Sequence, residues 1–132
     1  MRPFSRITAR ENVRVFDHVT IRVSDFDASR RFYDTVLGAL GIALGYEDPA
    51  EPFAEWGDFS IAADGRPLTR EAHIAFAAAD NAAVDAFWAA GTEAGYRDNG
   101  APGERAVYHP GYYAAYLLDP DGNNIEAICH NR

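Results

Sequence analysis

The sequence predicts an α+β fold built from two copies of one βαβββ unit. Three observations predict it. First, the two halves match at a single offset: His18 and His73 are 55 residues apart (73 − 18), and so are Asp25 and Asp80, Phe32 and Phe87, and Tyr33 and Trp88. Second, each half opens on an alternating apolar and polar run, the pattern of a half-buried strand, then continues into an acidic cap and an apolar helical stripe. Third, the chain closes with two strand-like runs around Asp119-Pro120-Asp121-Gly122-Asn123. There Pro fixes φ, Gly accepts positive φ, and the Asp and Asn side chains bond nearby backbone, as a tight hairpin connection requires. A repeat of about half the chain implies two equal units packed together.

The elements follow in order. Residues 1–14 carry Arg2, Arg6, Arg10 and Arg14 and read as an arm or a short edge strand. Residues 16–23 (F-D-H-V-T-I-R-V) alternate, with Val19, Ile21 and Val23 on one face and His18, Thr20 and Arg22 on the other. Ser24 or Asp25 caps a helix whose stripe is Ala28, Phe32, Val36 and Leu40, and Gly38 and Gly41 stop it. Short strands are expected at 42–46, 53–56 and 59–63, closing a first module over about 15–64. A Pro-containing linker spans 65–71, and a second module covers about 72–130. Its first strand holds Ile74 and Phe76 on one face and His73, Ala75 and Ala77 on the other. Asp80 caps a helix with Val84, Phe87, Trp88 and Gly91 on one side, and Gly95 ends it. Residues 96–107 read as a loop or irregular strand, 108–111 as a turn, and the closing hairpin follows.

Composition narrows the function. With 132 residues and 48% apolar content the chain can bury a real core. The net charge is −8 and all twelve basic residues are Arg, which argues against nucleic acid and against an anionic membrane surface. One cysteine, Cys129, excludes an internal disulfide and a thiolate metal site. No apolar run is long enough to span a membrane and the N-terminus lacks a signal-peptide core, so a cytoplasmic protein is expected.

The repeat also places a site. If each helix covers the Val/Ile/Phe face of its sheet, the opposite face carries His18, His73 and Glu126 into a concavity. A carboxylate in an apolar strand is costly unless a metal, an Arg or solvent satisfies it. Two imidazoles and one carboxylate form the ligand set of a facial triad with open positions, suited to Fe, Mn, Ni or Zn. Tyr112 and Tyr116 alternate onto the same face as Glu126. Arg22 shares the face of His18, and His109 precedes a turn that would serve as a lid.

The segments D-H-V-T-I-R-V-S-D with R-R-F-Y at 17–33, A-H-I-A-F at 72–76 and Y-L-L-D-P-D-G-N-N-I-E at 116–126 resemble the vicinal oxygen chelate superfamily. It includes glyoxalase I, extradiol dioxygenases, fosfomycin-resistance and bleomycin-resistance proteins. The resemblance runs from about Phe16 to His130. It implies two βαβββ modules whose mixed sheets curve around a central cavity, with a divalent metal on His18, His73 and Glu126. Glu126 and Tyr116 would then serve catalysis, and Tyr112, Tyr116, Ser60, Arg22 and His109 would bind substrate. Glyoxalase I has a fourth ligand on the last strand of the first module. Here Ser60, a poor ligand, stands there, which argues against glyoxalase I itself. The family implies a metal-dependent lyase, isomerase or dioxygenase-like enzyme acting on a small molecule through adjacent oxygens. The alternative is a ligand-sequestering protein of the bleomycin-resistance type. A homodimer is expected, because each module leaves its first strand at an edge and Tyr46, Phe53 and Trp56 suggest an uncovered aromatic patch.

Overall fold

The computed structural model describes residues 15–132; the predicted arm at 1–14 lies outside them. In chain order the elements are β1 (Val19–Arg22), α1 (Phe26–Ala39), β2 (Tyr46–Glu47), β3 (Phe53–Trp56), β4 (Phe59–Ala62), β5 (His73–Ala77), α2 (Asn81–Glu93), β6 (Arg97–Glu104), β7 (Tyr113–Leu118) and β8 (Asn124–Cys129). This is βαβββ twice. The first sheet runs β1-β4-β3-β2 and the second runs β5-β8-β7-β6. In each, the opening strand pairs in parallel with the last strand of its module, and the remaining pairings are antiparallel. Among the described residues the sheets are therefore mixed and open, with β1 and β2 at the edges of the first and β5 and β6 at those of the second.

The repeat is visible at side-chain level. Asp25 and Asp80 are both N-caps, accepting from the backbone N–H of Ala28 at 3.1 Å and of Ala83 at 2.8 Å. Each satisfies a donor that the first helical turn leaves unpaired. Phe32 and Phe87 are both fully buried. The buried stripe of α1 is Ser29, Phe32, Tyr33, Val36 and Leu37, rotated from the predicted one; Ala28 and Leu40 are only half-buried. The cause is Tyr33, whose hydroxyl finds a buried partner and so turns its ring inward. Ser24 does not cap α1, because its hydroxyl donates to Asp121 Oδ1 at 2.5 Å. The strand expected over 42–46 shrinks to the two residues of β2.

The core joins both modules. Phe32 meets Tyr96 edge-on at 4.8 Å, and Phe59 meets Phe76 at 5.1 Å with perpendicular rings. Trp56 is 1% exposed and packs beside Tyr33 and Phe59, so it belongs to this core and not to the predicted surface patch. Tyr46 is exposed and Phe53 half-buried.

The turn between β7 and β8 ties the modules together. Asp119 is buried; its Oδ1 accepts from the N–H of Asp121 at 3.0 Å and of Asn123 at 2.8 Å. Its Oδ2 accepts from the Tyr33 hydroxyl at 2.5 Å and Asn123 Nδ2 at 3.0 Å. Asn123 in turn donates to the carbonyl of Thr69 and accepts from the N–H of Ala72, which anchors the linker. Gly122 takes φ +87°, where an L side chain is strained. Among the described residues no helix is long and apolar enough to cross a membrane.

Candidate functional site

β8 is the middle of the site. Ile125, Ala127 and Cys129 turn into the core, and alternation sends Glu126 to the opposite face. There it stands beside Tyr116, its register partner on β7, and one strand from β5, where its partner is Ala75. Glu126 is 1% exposed, so its carboxylate needs partners. His73 Nε2 lies 2.7 Å from Oε1, and the Tyr112 hydroxyl donates to Oε2 at 2.5 Å. Burial, with the Glu126 carboxylate next, pushes both the Tyr112 and Tyr116 phenols up, so each stays a protonated donor near neutral pH. The ring of Tyr116 stands 6.4 Å from that of His73.

The second module thus brings together four predicted site residues: His73, Glu126, Tyr112 and Tyr116. His109 joins them indirectly. Its ring contacts Tyr112, its Nδ1–H donates to the carbonyl of Pro110, and its Nε2 meets Nδ1 of His130 at 2.8 Å.

The first module holds the rest apart. His18 is largely exposed, with Nδ1 at 2.9 Å from Asp17. It lines a pocket of about 760 Å³ over the first sheet with Thr20, Phe53, Glu55 and Asp58. Ser60 faces that side but is 1% exposed, bonded to the Thr20 hydroxyl at 2.7 Å and donating to the carbonyl of Val19. Its register partner on β3 is Glu55, which lines the His18 pocket together with Asp17 and Asp58. Arg22 is committed to Asp64, with contacts of 3.3 and 3.2 Å, in a separate polar hollow lined by Ser24 and Arg66. Among the described residues no three His, Cys, Asp or Glu side chains gather closely enough to hold a metal ion within one chain.

Comparison with known proteins decides the family. Residues 15–127 match the family model of the Glyoxalase/Bleomycin resistance protein/Dioxygenase superfamily. The chain belongs to this superfamily. Among solved structures, a glyoxalase/bleomycin resistance protein from Albidiferax ferrireducens T118 is 37% identical, with a TM-score of 0.74 over 87% of this chain and 98% of that one. A glyoxalase/dioxygenase from Nostoc punctiforme is 24% identical, with a TM-score of 0.65 over 97% of this chain and 99% of that one. A lactoylglutathione lyase from Agrobacterium tumefaciens, 20% identical with a TM-score of 0.63 over 89% of this chain and 95% of that one, shares the fold. No curated protein matches the sequence. Superfamily membership accounts for the doubled βαβββ unit.

Two residues near the site escaped the sequence reading. His130 follows the last strand and pairs with His109. Arg105 lies over the ring of Tyr116, its Cζ 5.3 Å from the centroid. The available signal was the pair Gly100 and Gly103 just before it, since glycine inside a strand often marks a close approach.

Proposed function

We propose that the protein is a divalent-metal-dependent enzyme of the vicinal oxygen chelate type, acting on a small molecule that presents two adjacent oxygens. The observation that carries this is the buried Glu126 carboxylate with His73 Nε2 at 2.7 Å from Oε1. Two donors that share one ion at about 2.0–2.2 Å stand roughly 3 Å apart, so this hydrogen-bonded pair would take an ion by exchanging its shared proton for it and opening slightly. His18 is the third donor in this reading. It directly precedes β1, at an edge of the other sheet, and the partly exposed Val19 beside it is where a second copy would approach. A homodimer that sets the first sheet of one copy against the second sheet of the other would complete the triad. A bound divalent ion supplies Lewis-acid polarisation of the adjacent substrate oxygens. Tyr112 fixes Glu126 by donating to its second oxygen. Tyr116, held protonated on the same face, donates to a developing oxyanion. Its hydroxyl, with Glu126, would carry the acid–base work.

Metal analysis of purified protein, with His73→Ala and Glu126→Gln beside the wild type, tests the reading. Stoichiometric Fe, Mn, Ni or Zn in the wild type and its loss in both variants is the expected result. A wild type that binds none of these ions at micromolar concentration would favour the sequestering alternative.

A further inference from the structure

β6 is irregular. Its register against β7 shifts between Asp98 and Gly100 and again between Gly100 and Gly103. Arg105 folds back across this bulged stretch. Its Nη1 donates to the carbonyl of Gly103 at 2.7 Å and its Nη2 to that of Ala101 at 2.8 Å. The seat beneath it leaves no room for a side chain at Gly100 and is tight at Gly103. A Cβ at Gly103 would lie 3.0 Å from Arg105 Nη1, and one at Gly100 would lie 2.8 Å from Tyr116 Cδ1 and 3.4 Å from Arg105 Nη2. The guanidinium is thereby held over the Tyr116 ring, a cation–π arrangement. Tyr116 is the register partner of Glu126, so this cation lies on the same face of the second sheet as the Glu126–His73 pair.

Among the described arginines outside the ion pairs, Arg31, Arg70, Arg97 and Arg132 are exposed, whereas Arg105 is half-buried. Twenty acidic side chains outnumber twelve basic ones. Arg22 is paired with Asp64 and Arg30 with Glu47. Arg105 is half-buried yet has only neutral carbonyl partners, and among the described residues no carboxylate stands within ion-pair distance of it. A guanidinium has five N–H donors in a planar fork; two are spent here, leaving three. Capping two carbonyls explains how the side chain is held. It does not explain why a permanent charge is kept uncompensated on a ligand-facing surface, where a planar anion gains most from it.

We propose that Arg105 is the recognition residue for a carboxylate on the small-molecule ligand, so that the substrate class is anionic. This rests on the reading of that face as the substrate face, but not on the metal. The substrate would place its carboxylate on Arg105, its body along the Tyr116 ring and its adjacent oxygens toward Glu126 and His73.

The test titrates ¹⁵N-labelled protein with benzoate and, separately, with benzamide, which has the same shape and no charge. The Arg105 Nε–H resonance reports contact. Benzoate is expected to shift it, and benzamide at equal concentration to leave it in place. Arg105→Met is expected to weaken benzoate about tenfold or more, the size of a lost charge-assisted hydrogen bond, while Arg105→Lys keeps part of the affinity. Absence of a benzoate response, equal responses to the two probes, or unchanged benzoate affinity in Arg105→Met overturns the proposal. The wild-type comparison stands even where a variant folds poorly. Repeating the titration in Glu126→Gln separates the two readings: benzoate binding that persists there upholds Arg105 whether or not the metal assignment survives.

Discussion

The Tyr112 hydroxyl donates to Glu126 Oε2 at 2.5 Å while His73 Nε2 meets Oε1 at 2.7 Å, so both oxygens of a carboxylate buried to 1% exposure are engaged. The two partners differ in kind. His73 is more than half exposed, so a ligand can reach its ring, whereas Tyr112 is held in place by aromatic contacts with Tyr108, His109 and His130.

Removing the Tyr112 hydroxyl strands one oxygen of a buried carboxylate. Tyr112→Phe is expected to lower unfolding free energy by about 1–3 kcal/mol, read by urea denaturation at neutral pH. The same bond gives a signature in alkali. Burial and Glu126 raise the Tyr112 phenol above its ordinary value, and burial and Asp119 raise Tyr33 likewise. With folded values raised, the unfolded chain loses these protons first. The stability they contribute is full below about pH 10 and falls as pH rises beyond it. Tyr33→Phe and Tyr112→Phe should each flatten that decline.

Asp119 is the second buried carboxylate whose loss should be felt. It accepts from Tyr33, Asp121 and Asn123, joining α1 of one module to the hairpin of the other. Asp119→Ala would leave the Tyr33 hydroxyl and Asn123 N–H groups without this acceptor. A loss of about 3 kcal/mol or more is expected in thermal or urea unfolding, since several bonds to a charged group go together. Asp121→Ala removes only the contacts to exposed Ser24 and should cost about 1 kcal/mol or less.

Much of this was legible in the sequence because repeats constrain strongly. The offset that joins His18 to His73 also joins the capping aspartates and the buried phenylalanines, so the doubled unit, the Asp80 cap and the face of Glu126 follow from pattern, whereas Ser24 stands beside Asp25 as a candidate cap of α1 and pattern leaves the regularity of β6 open. What pattern does not carry is which long-range partner a side chain finds. Tyr33 turned inward for Asp119, rotating the stripe of α1, and Trp56 found the core because Tyr33 and Phe59 were already there. Arg22 shares a strand face with His18, yet Asp64 holds it elsewhere. The relation between the two concave faces is a matter of module packing, which alternation within a strand does not encode.

The His109–His130 pair gives an acid-side test. The carbonyl of Pro110 only accepts, so His109 Nδ1 carries the proton and its Nε2 lone pair accepts from Nδ1–H of His130. Burial lowers the His130 imidazole from its usual value, with Arg132 and His109 adding to it and Glu126 opposing. A lowered histidine leaves the unfolded state binding more protons. The contribution is therefore present above about pH 6.5 and lost as pH falls below it. Melting temperature should drop more steeply between about pH 6.5 and 5 in the wild type than in His130→Gln, which has no imidazole to protonate. Equal slopes would show that the pair does not link the 105–112 turn to stability.

The last prediction concerns where the third metal donor comes from. His18 lines a pocket over the first sheet, while His73 and Glu126 share the second, and no single chain gathers the three among its described residues. If two copies complete each other, His18→Ala and Glu126→Ala proteins each lack a full triad in every site. Mixed dimers behave differently. One of their two sites pairs the intact His18 of one chain with the intact His73 and Glu126 of the other, and the second site is doubly impaired. Mixing the two variants under conditions that exchange subunits should therefore restore metal binding that neither shows alone, measured by metal retention after desalting. Light scattering at low micromolar concentration should show a mass of twice the 14.5 kDa chain. A monomeric mass, or no recovery on mixing despite verified subunit exchange, would place the three donors within one chain or remove His18 from the site.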